Sequence, residues 1–487
     1  MNGVRPISPA APGWSNGSRR RCERKGCPGG ESLQRLQEAE CPVSTDDREA
    51  EDLYKRMSIF DNAIRWDELP ENTAEEYQWD LLGDVPKHNT VSDANHLYAS
   101  MLAARKGTAW KGSVQRFCWD WMMEICRLQQ ELDALESGGN NAYQPKDGPQ
   151  FFANERGNIR PVEGQVMADR VVAHCLIDFE LMPKIFPHLM YDNAASIAGR
   201  GVDFARKRMA AHLQRFFQRE GTNIGYIRLK DQSKYYDNID HDIAYRMMCE
   251  FTDNELARKL VKVSLKHAEL DVSDLTDRQF EIAKRVKFDR VKWRLGRHPK
   301  GGTKFLRKGV SVGDQLSQTI GVSFPWRVDN EARIVRGSRY YQRYMDDSAD
   351  IDRDLERLKK RCAAVDRRAD EIKLFTNERK TVICRTDKWF VYLQRKFRIR
   401  ENGAVDMRIL PKTVTRFRKR TRRMKKHVDS GKFAPEYVGN VVRSWLFARR
   451  DVMSYPQVRR IELLVLELYG REAYERVCDR TGRWEAT

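Results

Sequence analysis

Apolar positions along this chain fall into helical stripes at both ends, with short extended runs between them. From about 90 to 136, Leu97, Met101, Phe117, Trp121, Ile125 and Leu128 recur at spacings of three and four, which predicts helix. Gly138-Gly139 breaks that pattern. Gln150–Asn154 and Ile159–Glu163 read as two short strands around a turn at Glu155-Arg156-Gly157-Asn158. Ala168–Leu181 predicts a buried helix that stops ahead of Pro183. Phe204–Phe217 predicts another, with Arg206, Lys207, Arg208 and Arg215 on its wet side. Ile224–Leu229 reads as a strand that runs into an acidic turn, and 242–300 as helical and basic without a clear period. Gly309–Val312 opens a loop leading into a helix that ends near Glu331. Tyr340–Tyr344 and Ser348–Ile351 predict strands on either side of Met345-Asp346-Asp347, followed by an amphipathic helix over Leu355–Asp370. Lys380–Arg385 and Phe390–Ile399 read as strands, and everything from Pro411 as basic helix. The expected class is α+β.

Composition narrows the setting. At 487 residues the chain is too long for one small core, so two or three subdomains are expected. No run of about 18 apolar residues occurs, which argues against an ordinary membrane-spanning helix. The longest apolar stretch, near Val171–Met190, is interrupted by His174, Asp178, Glu180, Lys184 and His188. Residues 1–56 are rich in Gly, Pro, Ser and charge and are expected to be disordered. Ten cysteines follow no disulfide or zinc framework: Cys22, Cys27 and Cys41 lack a fourth ligand, and Cys175, Cys249 and Cys384 read as reduced core thiols. With no apolar leader at the start, the expected compartment is the cytoplasm. The net charge of +19 calls for a polyanionic partner, and nucleic acid is the usual one.

One acidic constellation stands out against this basic background. Asp231 ends the apolar run Ile227-Arg228-Leu229-Lys230, and Asp346-Asp347 follow Tyr344-Met345 at a hairpin tip. Adjacent carboxylates repel one another unless a cation joins them. Transfer of a phosphoryl group to a hydroxyl uses two divalent ions roughly 3.5–4 Å apart, and hard cations such as magnesium take carboxylate oxygens. Asp237, Asp240 and His241 read as capping residues of the next helix, and Asp350, Asp352 and Asp354 as a solvated face.

Tyr344–Asp347 resembles the YxDD box of reverse transcriptases, and other blocks occur in that family's order over about 90–470. Arg160-Pro161-Val162 and Asp169-Arg170-Val171-Val172 resemble its finger blocks. Asp231 to His241, with Tyr236 five residues after Asp231, resembles motif A, and Gly309 to Gln318 motif B. Asn377-Glu378-Arg379-Lys380-Thr381 resembles motif D, and Phe390-Val391-Tyr392-Leu393 the hairpin of motif E.

The resemblance implies a right-hand polymerase with a mostly antiparallel palm sheet and a helical thumb. A helical region over 57–145 precedes fingers at 146–223 and a palm at 224–400 with a basic helical insertion near 242–308; the thumb is 401–487. It implies an RNA-directed DNA polymerase in which Asp231 and Asp346 bridge two Mg2+ ions (Mn2+ can substitute), Asp347 is an outer ligand, and the Gln232 carbonyl adds a ligand. Tyr236 would exclude a 2′-hydroxyl. Arg156, Arg160, Gly313 and Gln318 would contact the incoming nucleotide, and Lys380 the departing pyrophosphate. Arg416, Lys419, Arg420 and Arg423 would lie along template and primer. Val312, where many of these enzymes have Gln, together with Ser317-Gln318, is similar to the bacterial and phage enzymes of diversity-generating retroelements, which copy a dedicated noncoding RNA into cDNA. An antiphage-defence reverse transcriptase is the alternative, and a non-catalytic maturase-like RNA-binding scaffold a third reading. Expected partners are the template RNA, the cDNA product and dNTPs, with an accessory protein or a second copy left open. No ribonuclease H cluster or nuclease pattern accompanies the blocks.

Overall fold

A computed structural model describes residues 89–478, apart from 156–157, 291–292 and 294–300. The expectation of disorder over 1–56, the first cysteines and Arg156 all lie outside the described residues. The described residues are α+β: helices surround several small sheets, every one antiparallel.

The first helical stripe is three helices. Asp93 caps α1 (Ala94–Arg105) by accepting from the Asn95 and His96 amides. After a turn come α2 (Gly112–Trp119) and α3 (Trp121–Ser137), which ends on left-handed Gly138 at φ 76°. β1 (Gln150–Glu155) and β2 (Asn158–Glu163) form a hairpin. The next helix does not stop ahead of Pro183. α4 (Met167–Cys175) passes into a π-helical turn at Leu176–Leu181 and continues through Met182–Ile185. The wider turn starts a fresh helical segment with Pro183 in its first turn, where a missing N–H breaks no bond. On α5 (Val202–Glu220), Arg206 and Arg208 are not on a wet side. Arg206 donates to the Leu393 carbonyl at 2.7 and 3.1 Å, and Arg208 to Asp192 at 2.5 Å.

β3 (Tyr226–Asp231) precedes α6 (His241–Phe251), which Asp240 caps, and α7 (Glu255–His267). Within the segment 242–300, α7 does carry a helical period, since Leu256, Ala257, Leu260, Val261 and Leu265 are buried in the main core. Only β4 (Leu270–Asp271), α8 (Asp277–Arg285) and β5 (Phe305–Leu306) build a small cluster of their own, around Leu270, Val272, Ala283, Phe288 and Leu306. Lys308 fastens it to the rest. Its ammonium, 1% exposed, donates to the carbonyls of Ala283, Lys284 and Val286 at 3.0–3.2 Å, meeting the negative end of α8.

The chain continues through α9 (Gln315–Ser323), α10 (Trp326–Asn330), the hairpin β6 (Gln342–Tyr344) and β7 (Asp347–Asp352), α11 (Leu355–Glu371) and β8 (Val382–Arg385). The central sheet has the order β6-β7-β3-β8. One face, with Ile227, Ala349 and Ile351, packs on Met209, Leu213 and Phe216 of α5. The other meets α11 through ion pairs: Arg228 and Lys230 with Asp366, and Asp350 and Asp352 with Arg361. The solvated face expected of Asp350 and Asp352 is therefore wrong. They are 5% and 6% exposed, because the period of two along β7 turns both under α11. Asp354 caps α11.

β9 (Phe390–Tyr392), β10 (Arg395–Ile399) and β11 (Val405–Ile409) form a second antiparallel sheet. α12 (Pro411–Asp429), α13 (Pro435–Phe447) and α14 (Tyr455–Cys478) then share a separate core that includes Phe417, Val438, Val442, Ile461 and Val465. Among the described residues no helix is long and apolar enough to cross a membrane, and the cysteines are free.

Candidate metal centre

Two strand ends bring the acidic residues together. Asp231, the last residue of β3, is the direct antiparallel partner of Asp347, the first of β7. Side chains so paired have Cβ atoms about 4.5–5.5 Å apart. Asp346 is next to them in the two-residue turn that joins β6 to β7, where Tyr344 faces Asp347. In that turn Met345 has φ +52°, a left-handed conformation worth roughly 1 kcal/mol of strain for a residue with a side chain. Surrounding groups hold the turn in place: the Gln232 amide donates to the Asp346 carbonyl at 3.1 Å.

Arg343 supplies the stronger clamp. This buried guanidinium donates to both carboxylate oxygens of Asp329 at 2.9 Å, to the Met345 carbonyl at 3.2 Å and to the Val322 carbonyl on α9 at 2.7 Å. Tyr341 donates to Asp329 at 3.0 Å and completes the pair. Arg343 thus joins the strained turn to α9 and α10. Its role was not read from the sequence, although an arginine between tyrosines in a strand with no wet face was a usable signal.

The carboxylates raise one another's cost of ionisation. Burial, reinforced by the negative charges of Asp346 and Asp231, pushes the Asp347 carboxyl up to about 7. Lys380 opposes the shift, its ammonium donating to Asp231 Oδ1 at 2.9 Å. Partial burial of that amine is outweighed by the bond to Asp231 and by the charges of Asp346 and Asp347, so its own pKa rises. Asn377, previously only part of a block, holds Asp231 twice: its amide nitrogen donates to Asp231 Oδ2 and its backbone N–H to the Asp231 carbonyl, each at 2.8 Å. Carboxylates brought this close repel one another, and their hard oxygens are donors that suit a divalent cation.

Tyr236 borders this centre. Its hydroxyl is 3.7 Å from Met345 Sδ, and its ring meets Tyr235 edge-on with centroids 5.6 Å apart. A Cβ added at Gly321 would come within 3.0 Å of the Tyr236 hydroxyl, so this glycine, unremarked in the sequence, makes room for the ring. The loop before α9 is stitched to the same turn. Val310 donates to the Tyr236 carbonyl at 2.9 Å and Gly309 to that of Ile239 at 2.8 Å. His241 Nε2 lies 2.7 Å from the Gly309 carbonyl. Gly309 has φ +88°, and a Cβ there would stand 3.0 Å from the Asp237 carbonyl, so no larger residue fits.

Asp231, Gln232, Tyr236, Asp346, Asp347 and Lys380 therefore converge. Gly313, at φ +110°, lies against Val162, while Val312 forms a backbone bridge with Val162 and Ser311 donates to Glu163 at 3.1 Å. Gln318 is exposed on α9. Arg160 pairs through its backbone with Ala153, which puts it on the hairpin strand beside that loop; its side chain is outside the described residues. Arg416, Lys419, Arg420 and Arg423 are exposed on α12, whose Phe417, Thr421 and Met424 face inward. They belong to a different layer and touch none of the carboxylates. Asp147, Glu163 and His267 also approach one another within 4.8 Å, but Asp147 and His267 are exposed ends, 3.7 Å apart. No protein-family model matches the chain, and no curated protein matches it either.

Proposed function

We propose that this chain is an RNA-directed DNA polymerase whose Asp231, Asp346 and Asp347 hold two Mg2+ ions. The observation that carries the reading is the direct pairing of Asp231 with Asp347 beside the turn residue Asp346, where burial and like charge push the Asp347 carboxyl up. When bound, the ions would activate the attacking 3′-hydroxyl and offset charge on the leaving pyrophosphate. Until they bind, the high pKa of Asp347 lets a proton relieve the repulsion. Asn377 fixes the orientation of Asp231, and Arg343 fixes the turn that presents Asp346. Lys380, 66% exposed at its side chain, can leave Asp231 and carry a proton toward a departing phosphate. The Tyr236 ring, wedged between Met345 and Gly321, forms a wall that a 2′-hydroxyl would strike, which favours deoxynucleotides.

In this reading β1, β2 and the helices after them are fingers, the four-stranded sheet is the palm, and α12–α14 are the thumb. Exposed cations on α12 then follow the phosphates of template and primer. Val312, able only to pack where an amide could hydrogen-bond, supports an error-tolerant enzyme that copies a dedicated noncoding RNA, as in a diversity-generating retroelement.

Primer extension on an RNA template with dNTPs and Mg2+ tests the proposal. Template-dependent DNA synthesis that disappears in Asp346→Ala is the expected result; no incorporation by the wild type would overturn it. Errors concentrated at template adenines and reduced by Val312→Gln would support the retroelement role, whereas untemplated or repetitive product would favour the defence alternative.

A further inference from the structure

Far along the chain from the carboxylates, apolar side chains are exposed where a folded protein would normally cover them. Trp119 is 85% exposed, and Trp110 and Met123 are 75% exposed, the three highest values for large apolar side chains among the described residues. These side chains are not on a loose loop. Val114 and Phe117 anchor α2 in the main core at 3% and 7% exposure. The turn before α2 is tied down as well: Arg170 of α4 donates to Thr108 Oγ1 at 3.1 Å and to the Ala104 carbonyl, and the Trp110 indole N–H donates to the Gly107 carbonyl at 3.2 Å. Both indoles are thus presented on rigid supports, which lowers the entropy lost when something stacks on them.

Charge indicates what that would be. Residues 105–123 contain the cations Arg105, Lys106, Lys111 and Arg116 against one acid, Asp120. The Lys111 ammonium lies 5.7 Å from the Trp110 ring centre, and Arg116 is exposed one helical turn before Trp119. A protein partner's interface core is depleted of charge, whereas single-stranded nucleic acid asks for rings with cations between them. The platform is also mechanically continuous with the candidate centre. α2 packs on α4, α4 follows β2, and Val162 of β2 bridges Val312 in the loop before α9.

We propose that Trp110 and Trp119 form a stacking platform for unpaired bases of single-stranded RNA, with Lys111 and Arg116 on the adjoining phosphates. That this RNA is the template's unpaired stretch rests on the polymerase reading; the binding itself does not.

Fluorescence anisotropy of the full chain with a labelled oligouridylate of about twenty nucleotides tests it without Mg2+ or dNTPs. Trp110→Ala and Trp119→Ala should each weaken binding about fivefold or more, and together about twenty-fivefold or more. Trp→Phe at either position should restore most of the affinity, because a ring remains. The salt slope should be unchanged in the tryptophan variants and shallower in Lys111→Ala with Arg116→Ala, since only cations release counterions. Wild-type affinity in the double tryptophan variant would overturn the proposal. So would a change of that variant's mass in light scattering, which would assign the face to a second copy of the chain. Tryptophan-dependent RNA binding by a protein that incorporates no nucleotide would sink the polymerase reading and leave this one standing.

Discussion

Strand β7 carries acids at both ends, and the two ends are treated in opposite ways. At the far end, Asp350 and Asp352 are buried under α11 and fully matched. Arg361 bonds each of them at 2.7 Å, Arg357 reaches Asp352 at 2.5 Å, and Ser338 donates to Asp350 at 2.6 Å. Burial alone would raise the pKa of Asp352, but the bonds from Arg357 and Arg361 overcome it and hold the carboxyl below its usual range. At the near end no cation among the described residues bonds Asp347, and its carboxyl is pushed up to about 7 by burial and by Asp346 and Asp231. The same residue type, within one strand of about 16–20 Å, is satisfied in one place and left in conflict in the other. Conflict of this kind is what the proposed metal ions would relieve.

Substitution at the conflicted end should damage chemistry and spare the fold. On the proposed two-metal reading, Asp231→Ala or Asp346→Ala should cut nucleotide incorporation by about ten-thousandfold, roughly 5–6 kcal/mol of barrier, because each would remove a shared metal ligand. The urea midpoint in EDTA should shift by the equivalent of no more than about 1 kcal/mol, since the like charge removed offsets the bonds Asp231 loses to Asn377 and Lys380. A clear drop in that midpoint would show that Asp231 or Asp346 is structural after all.

The compensated end should behave in reverse. Arg361→Met leaves Asp350 and Asp352 buried without their main counter-charge, and breaking a buried pair typically costs about 3–5 kcal/mol. Urea denaturation should show that loss, while the fraction still folded incorporates nucleotide at close to the wild-type rate. Equal damage to stability and turnover would erase the distinction between the two ends.

Acidity offers a third way to separate them. With metal removed by EDTA, the Asp347 carboxyl titrates near 7 in the folded protein and near its ordinary 3.8 when unfolded. Between those values the folded state holds a proton that the unfolded chain has released, so stability falls as pH rises. The expected loss from pH 4 to 7 is roughly 2–4 kcal/mol. Asp347→Asn should flatten that part of the profile, and saturating Mg2+ should flatten it in the wild type. Asp352 has the opposite sign: its stabilisation is present above about pH 4 and is lost on further acidification.

Much of the near end was legible because its signals are local. Asp231 closes an apolar run, Asp346-Asp347 follow an aromatic residue, and both segments are short enough that strand and turn follow from pattern alone. The far end was misread for lack of a partner in sequence. Asp350 and Asp352 look like a wet face until Arg361, eleven residues from Asp350, folds over them from α11. Arg343 was missed for the same reason, since Asp329 and Val322 are 14 and 21 residues away. Gly321 carries no local signal, because its meaning is the ring of Tyr236 across the turn. The π-helical turn ahead of Pro183 escaped because proline rules forbid a regular helix there, and a wider turn was the route around them.

The smallest expected effect concerns Lys380, which bonds Asp231 at the conflicted end. Lys380 and Arg361 both bond aspartates of the central sheet, but Lys380 is 66% exposed where Arg361 is 7% exposed. An exposed pair is worth at most about 1 kcal/mol, so Lys380 can be displaced from Asp231 by a divalent ion, whereas Arg361 cannot be displaced from its site. In Lys380→Met the ion no longer competes with an ammonium for Asp231. The Mg2+ concentration for half-maximal binding, read by isothermal titration calorimetry without nucleotide, should therefore fall by up to about fivefold. Turnover at saturating Mg2+ should fall instead, because the proton carrier near the leaving phosphate is gone. Tighter metal binding with slower turnover separates a releasable counter-ion from a structural one; weaker metal binding would mean that Lys380 orients Asp231 rather than guarding it.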